Sequence, residues 1–402
     1  MDTTYLLDWA NLLLRWAHVI TAIAWIGSSF YFVFLDSSLT APTAPDLKAK
    51  GVDGELWAVH GGGFYNPQKY MVAPRSLPSN LHWFYWEAYS TWLTGFALFT
   101  VLYLFNAGSF LVDKTVFAWA PGTAVAAALG FLVAFWGVYD AICRAFGQKK
   151  NGDLIVGLGV LVAIVLASWA ACQLFAGRAA FLLVGAMIAT AMSANVFFWI
   201  IPGQRTVIAQ MKAGQPVDPV HGQRAKQRSV HNTYFTLPVL VAMLSNHYGW
   251  LYQGPHNWAV LVLLMLAGAL IRHSFVARHK AHVLGRRAPW EHAIVGTVML
   301  VGLAIWLAPA PPSAAAQAAA SQPASFSQVQ AVVDQRCVLC HNAQVQQKNV
   351  ALHTPALLQQ HAQAVYQQAS VLKLMPMNNA TQITDAERLV IKRWYEAGAP
   401  GP

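Results

Sequence analysis

Apolar residues in the first three quarters of this chain run on in unbroken stretches long enough to cross a bilayer, with no alternation and no confinement to one helical face. Eight stretches stand out, with approximate cores at 12–34, 86–106, 116–142, 154–175, 179–201, 233–251, 257–276 and 291–308. Inside lipid every backbone polar group must be satisfied within its own segment, so each stretch predicts a helix. The first is too long for a secretory signal and carries Trp16, His18 and Trp25 with no small-residue cleavage site, so it is expected to be retained. The pattern then breaks. Residues 309–325 (PAPPSAAAQAAASQPAS) have neither charge nor apolar period, which predicts a flexible linker. From 326 to 402 the density is that of a small soluble domain. Its last helix is announced by Thr384 and Glu387 in a T-x-x-E capping box and stopped by Gly398 and Pro400. The expected fold is all-α: an eight-helix transmembrane bundle over 1–308, then a small all-α domain. The connection at 36–85 is far longer than a helix link needs, and its Gly- and aromatic-rich run ELWAVHGGGFYNPQKY is not a disordered composition, so it too is expected to fold.

The formal net charge of +10 raises the question of a nucleic-acid partner, and the location of the charges answers it. The odd-numbered loops hold sixteen Lys and Arg residues: Lys48, Lys50, Lys69, Arg75; Arg144, Lys149, Lys150; Arg205, Lys212, Arg224, Lys226, Arg228; and Arg278, Lys280, Arg286, Arg287. The even-numbered loops hold Lys114 and Arg178. That bias puts the odd loops in the cytoplasm and both termini, with residues 326–402, on the periplasmic side of a bacterial inner membrane. The basic balance therefore reports topology and membrane lipid, with no nucleic acid implied.

Cys337, Val338, Leu339, Cys340 and His341 form C-x-x-C-H, the attachment signature for covalent haem c. Two thiols three residues apart can reach both vinyl groups of one porphyrin while the adjacent imidazole points at the iron. A redox dithiol lacks a βαβ context, and half a zinc site lacks a second ligand pair. The remaining iron ligand is expected to be a thioether in a Pro-bearing loop, Met375 or Met377, of which Met375 before Pro376 fits better. This makes residues 326–402 a cytochrome c domain. Cys143 and Cys172 fall at opposite ends of their spans and are expected not to pair.

Eleven of the fourteen histidines precede residue 309. Intramembrane ionisable residues are functional candidates, although a lone His in an apolar helix is often a hydrogen-bonded core residue. His18 and His247 lie toward the outer side, His231 and His273 toward the inner side, a distribution that suits one or two haem b groups.

Several long segments in order carry a family resemblance: LLDWANLLLRWAHVITAIAWIGSSFYFVFLD, GELWAVHGGGFYNPQKY, HWFYWEAYSTWLTGFAL and RSVHNTYFTLPVLVAMLSNHY. The chain resembles the bacterial membrane-bound urate oxidases, or urate hydroxylases, of the PuuD type. The likeness extends through AVYQQASVLKLMPMNNATQITDAERLVIKRWYEAGAP at the C-terminal end. The resemblance implies oxidation of urate toward 5-hydroxyisourate, with electrons passed to an attached c-type haem and on to a soluble or membrane-bound respiratory acceptor.

A flat anionic purine would be held by aromatic stacking and cationic or bidentate donors. The 36–85 segment and the residues just after it offer Trp57, Tyr65, Lys69, Arg75 and His82 for binding, with His60 or Glu87 to take a proton. The bland account of each is a solvated loop or membrane-interface residue. The competing function is a non-enzymatic electron carrier between a quinol or partner dehydrogenase and the tethered cytochrome. A carrier needs no large folded cytoplasmic segment.

Overall fold

The computed structural model describes residues 3–71, 73–308 and 322–402. Helix α1 (Thr3–Ser38) is followed by the short α2 (Pro45–Lys50) and four short strands, β1 (Gly54–Glu55), β2 (Ala58–His60), β3 (Gly63–Tyr65) and β4 (Gln68–Lys69). β2 pairs with β3 and β1 with β4, both antiparallel, so the segment is one interrupted hairpin. Its tip needs positive φ at two successive residues, and Gly61 and Gly62 supply 59° and 81°. These strands make the fold mostly rather than wholly α-helical.

The remaining long helices are α3 (Trp86–Phe99), α5 (Pro121–Phe146), α6 (Gly152–Leu174), α7 (Gly177–Asn195), α8 (Ile201–Lys212), α9 (Pro219–Leu244), α10 (Asn257–Val283) and α11 (Glu291–Trp306), with the single turn α4 (Ala107–Phe110) after α3. Five stretches among the described residues are long and apolar enough to cross a membrane: Tyr5–Ser38, Pro121–Phe146, Gly152–Leu174, Gly177–Lys212 and Asn257–Val283. The other three expected spans are helical but differ in a physical way. α3 reaches its length only through the wider turn Thr100–Leu104. α9 begins well before 233 with the polar run PVHGQRAKQRSVHN, and α11 has 16 residues.

α7 is the axis of the bundle. Its Phe181, Leu183, Val184, Met187, Ile188 and Ala191 are fully enclosed, because α5, α6 and α9 pack around it. α7 continues into α8 through the widened turn Val196–Ile200, just before Pro202, which has no amide hydrogen to give the preceding turn. α1 packs on the outside, against α3 and α10.

A second apolar core gathers Phe326, Val329, Val333, Leu358, Ile391 and Trp394. It joins α12 (Phe326–Arg336), α13 (Pro355–Gln360), α14 (Ala362–Val365) and α15 (Asp385–Glu396). Ser325 caps α12 and Thr384 caps α15, each in a full capping box with Gln328 or Glu387. This part meets the bundle where Gln253 Nε2 donates to the Lys373 carbonyl at 2.7 Å and where Lys348 pairs with Asp8. Of the expected linker, residues 309–321 lie outside the described residues.

Candidate functional site

A cavity of about 720 Å³ opens between α6, α9 and α10, beside the α5–α6 turn. Its mouth is polar, with Gln148, Lys149, Asp153, Gln223, Lys226 and Gln227. Deeper in, His231, Tyr234, Phe235 and Pro238 of α9 face Val160 and Ile164 of α6 and Met265 of α10. The start of α9 is fixed locally: Pro219 opens the helix and Asp218 accepts from Val220 N at 2.9 Å. Gln227 Nε2 then donates to the Gly147 carbonyl (3.1 Å) and Asp153 Oδ1 (2.8 Å), clamping α9 to the α5–α6 turn. A flat heterocycle can enter against the rings of Tyr234 and Phe235, and the two lysines favour a negative one.

Behind the His231 wall lies a polar network, buried at Asp140, Asn195, Arg228 and Asn232 and reaching the surface at Arg144. Arg228 Nη2 donates to Asp140 Oδ1 at 2.7 Å, Trp199 Nε1 to the same oxygen at 2.8 Å, and Arg144 Nε to Asp140 Oδ2 at 2.6 Å. Arg228 also stacks over the rings of Tyr139 and Trp199, at 5.0 and 4.9 Å. Asn195, fully buried at the end of α7, receives Arg228 Nη1 at 3.3 Å and donates to Asn232 Oδ1 (2.9 Å) and Tyr139 Oη (2.8 Å). Tyr139 Oη in turn lies 2.8 Å from His231 Nδ1. The network can hold one imidazole in one orientation at the edge of the cavity.

The residues expected to bind substrate are placed elsewhere, and none of them lines this cavity. Trp57, His60 and Tyr65 are exposed on the β2–β3 hairpin. Lys69 pairs with Asp36 at 2.6 Å. Arg75 is exposed, and His82 is exposed with its ring edge-on to Phe84 at 4.7 Å. Glu87 stands in the first turn of α3, its Oε2 buried without a hydrogen-bond partner.

The expectation of haem c on Cys337, Cys340, His341 and Met375 is corrected, as is that of haem b on His18, His247, His231 and His273. Among the described residues no group of three or more His, Cys, Asp or Glu side chains comes together to hold a metal ion. Cys337 packs against the second apolar core while Cys340 is exposed, so the two thiols face different surroundings. Burial pushes the Cys337 thiol up to about 11. His341 Nδ1 bonds the Val350 carbonyl at 2.9 Å, and the Met375 carbonyl accepts from Arg388 at 2.8 Å.

Three of the four membrane histidines each have polar partners of their own. His18 Nδ1 meets the Thr91 carbonyl (3.1 Å) and Thr94 Oγ1 (3.2 Å), and its ring presses on α3 so closely that a Cβ at Gly95 would lie 2.7 Å from it. His247 is exposed in the turn after α9. His231 belongs to the Tyr139 network, whereas His273 takes the Tyr234 hydroxyl at 2.8 Å and touches the His292 ring.

Sequence reasoning missed Asp140, Asn195, Asn232 and the cavity's Lys149, Lys226 and Gln227. The first two were findable, since a carboxylate and an amide inside apolar runs demand partners. Their convergence depends on how α5, α7 and α9 pack, which residue spacing does not encode.

The family model described as Urate oxidase N-terminal matches residues 4–308. No curated protein and no solved structure matches the chain. Residues 4–308 include the whole cavity and its supporting network, and the chain belongs to that family.

Proposed function

We propose that this membrane member of the urate oxidase N-terminal family oxidises urate toward 5-hydroxyisourate and passes two electrons to a respiratory acceptor. The reaction takes up one water and releases two protons with the two electrons, so an acceptor is obligatory; a soluble or membrane-bound carrier of the respiratory chain fills that role. The observation that carries the reading is the cavity: polar at its mouth with two lysines against one carboxylate, aromatic along α9, and wholly within the matched residues. Its volume suits a single small heterocycle. The exposed hairpin residues from Trp57 to Tyr65 offer no comparable enclosure.

The positive-inside bias orients the same picture. Eight spans, the five long apolar helices together with α3, α9 and α11, set the cavity mouth toward the cytoplasm of a bacterial inner membrane. Both termini then lie on the periplasmic side, with residues 326–402 a small soluble domain joined by the 309–325 linker. Purified full-length protein in lipid, given urate and an artificial two-electron acceptor under anaerobic conditions, tests the reading. One acceptor reduced per urate consumed supports it, and urate left intact refutes it.

A further inference from the structure

We infer that the chain of hydrogen bonds from Arg228 through Asn195 and Tyr139 fixes His231 as a hydrogen-bond donor, Nε2–H facing the cavity, so that the site selects its purine by an acceptor atom. The inference rests on the cavity being the urate site, as proposed above.

The guanidinium fixes the direction of the first two bonds, and the last, from Tyr139 to His231, is the step we infer. A guanidinium has donors only. Arg228 Nη1 therefore donates to Asn195 Oδ1, which turns the Asn195 Nδ2 group toward Asn232 Oδ1 and Tyr139 Oη. Asn232 is fixed independently, because its own Nδ2 donates to the Met192 carbonyl at 3.1 Å. Tyr139 Oη thus accepts from Asn195, and its single hydrogen is left for the partner at 2.8 Å, His231 Nδ1. An imidazole that accepts at Nδ1 and is neutral carries its proton on Nε2. Cys143 Sγ, 3.9 Å from the same Nδ1, can only add a weak second donor there.

The chain has no route to reverse by exchange with water. Asn195 is fully buried, and Arg228 and Asn232 are nearly so. Asp140 holds Arg228 from the far side, so the orienting cation cannot swing away. His231 stands between this network and the cavity, and its remaining ring nitrogen is the polar atom it can offer a ligand.

The chemical consequence is a requirement on the substrate. A carbonyl oxygen or deprotonated ring nitrogen at that point is matched, and urate carries both kinds of acceptor. A purine presenting C–H or N–H there leaves a desolvated donor unpaired, which lowers affinity roughly ten- to hundredfold.

The test separates a positioned donor from a merely structural histidine. In His231→Gln the side-chain amide nitrogen can replace Nε2–H, whereas in His231→Asn the amide reaches only the Nδ1 position. Asn195→Asp puts an oxygen where Nδ2 stood, which repels Asn232 Oδ1 but accepts from Tyr139, reversing the chain and making Nε2 an acceptor. In full-length protein in lipid, with folding checked by gel filtration, KM for urate should rise about tenfold or more in His231→Asn and Asn195→Asp. In His231→Gln, which keeps a donor at the Nε2 position, the rise should be clearly smaller than in His231→Asn. Nitrogen NMR of labelled histidine should show His231 protonated at Nε2 in the wild type and at Nδ1 in Asn195→Asp. Wild-type protein that oxidises urate while all three variants match it, or a wild-type His231 protonated at Nδ1, overturns this inference alone. Wild-type protein that leaves urate intact overturns the functional reading and this inference with it.

Discussion

Arg228 and Asp140 form an ion pair at 2.7 Å with side-chain exposures of only 3% and 9%, joining the polar first half of α9 to the apolar α5. A pair so enclosed is weak evidence for net stability, yet breaking it from one side strands a charge. Arg228→Ala should destabilise the bundle by about 3–5 kcal/mol. The double variant with Asp140→Asn should recover part of that loss, because in Arg228→Ala the Asp140 carboxylate keeps only Arg144, an exposed cation, as its counter-charge. Unfolding in detergent followed by circular dichroism checks both. A double variant no more stable than Arg228→Ala would show that shape, not charge, sets the cost.

Lys149 and Lys226 stand exposed at the cavity mouth, where they attract an anion without being desolvated. Removing either as Lys→Ala should raise KM for urate about two- to fivefold at low salt, with little effect on kcat. The difference should shrink as ionic strength rises. A salt-independent change would mean direct contact rather than steering.

In the C-terminal part, burial tends to raise the Glu387 carboxyl, but the Thr384 amide and the Arg336 guanidinium outweigh it and hold the group below the ordinary glutamate value. A depressed carboxylate contributes stability that is present above the unfolded value, about 4.3, and is lost as pH falls through the folded one. Thermal unfolding should therefore show a Glu387-dependent loss only below about pH 4.3, absent in Glu387→Gln. A loss between pH 6 and 8 would point to a different group.

The two thiols of the C-x-x-C-H run should differ sharply in reactivity. Cys340 is exposed, and burial keeps Cys337 a protonated thiol at neutral pH. Maleimide at pH 7 should label Cys340 first in the native protein, and Cys337 only after denaturation, as read by peptide mass spectrometry. Equal labelling of the two in the native protein would contradict the difference in burial.

What was legible in the sequence followed from composition along one dimension. Unbroken apolar runs located the long helices, and Ser/Thr-x-x-Gln/Glu boxes located the starts of α12 and α15, because each depends on neighbours within a few residues. The site did not share that property. Tyr139, Asn195, Arg228 and His231 come from three helices and meet through the packing of α7, so His231 was visible only as an intramembrane histidine and was given the wrong partner. The aromatic and charged residues of 36–85 drew attention because they cluster in sequence. In space they spread over a hairpin surface.

Gly157 offers the most direct test of urate oxidation in the α6–α9–α10 cavity. It lines that cavity, and a Cβ there would meet nothing within 4 Å, so Gly157→Leu starts its side chain in open space and favours the helix it sits in. Urate consumption should be measured in membranes carrying equal amounts of wild-type and Gly157→Leu protein, with an electron acceptor in excess. Turnover by the wild type is expected, with a loss of at least about tenfold in a variant that inserts to the same level and gives the same circular dichroism. Equal rates in the two proteins would place the chemistry outside the cavity, and no turnover in either would contradict the assignment of urate oxidation itself.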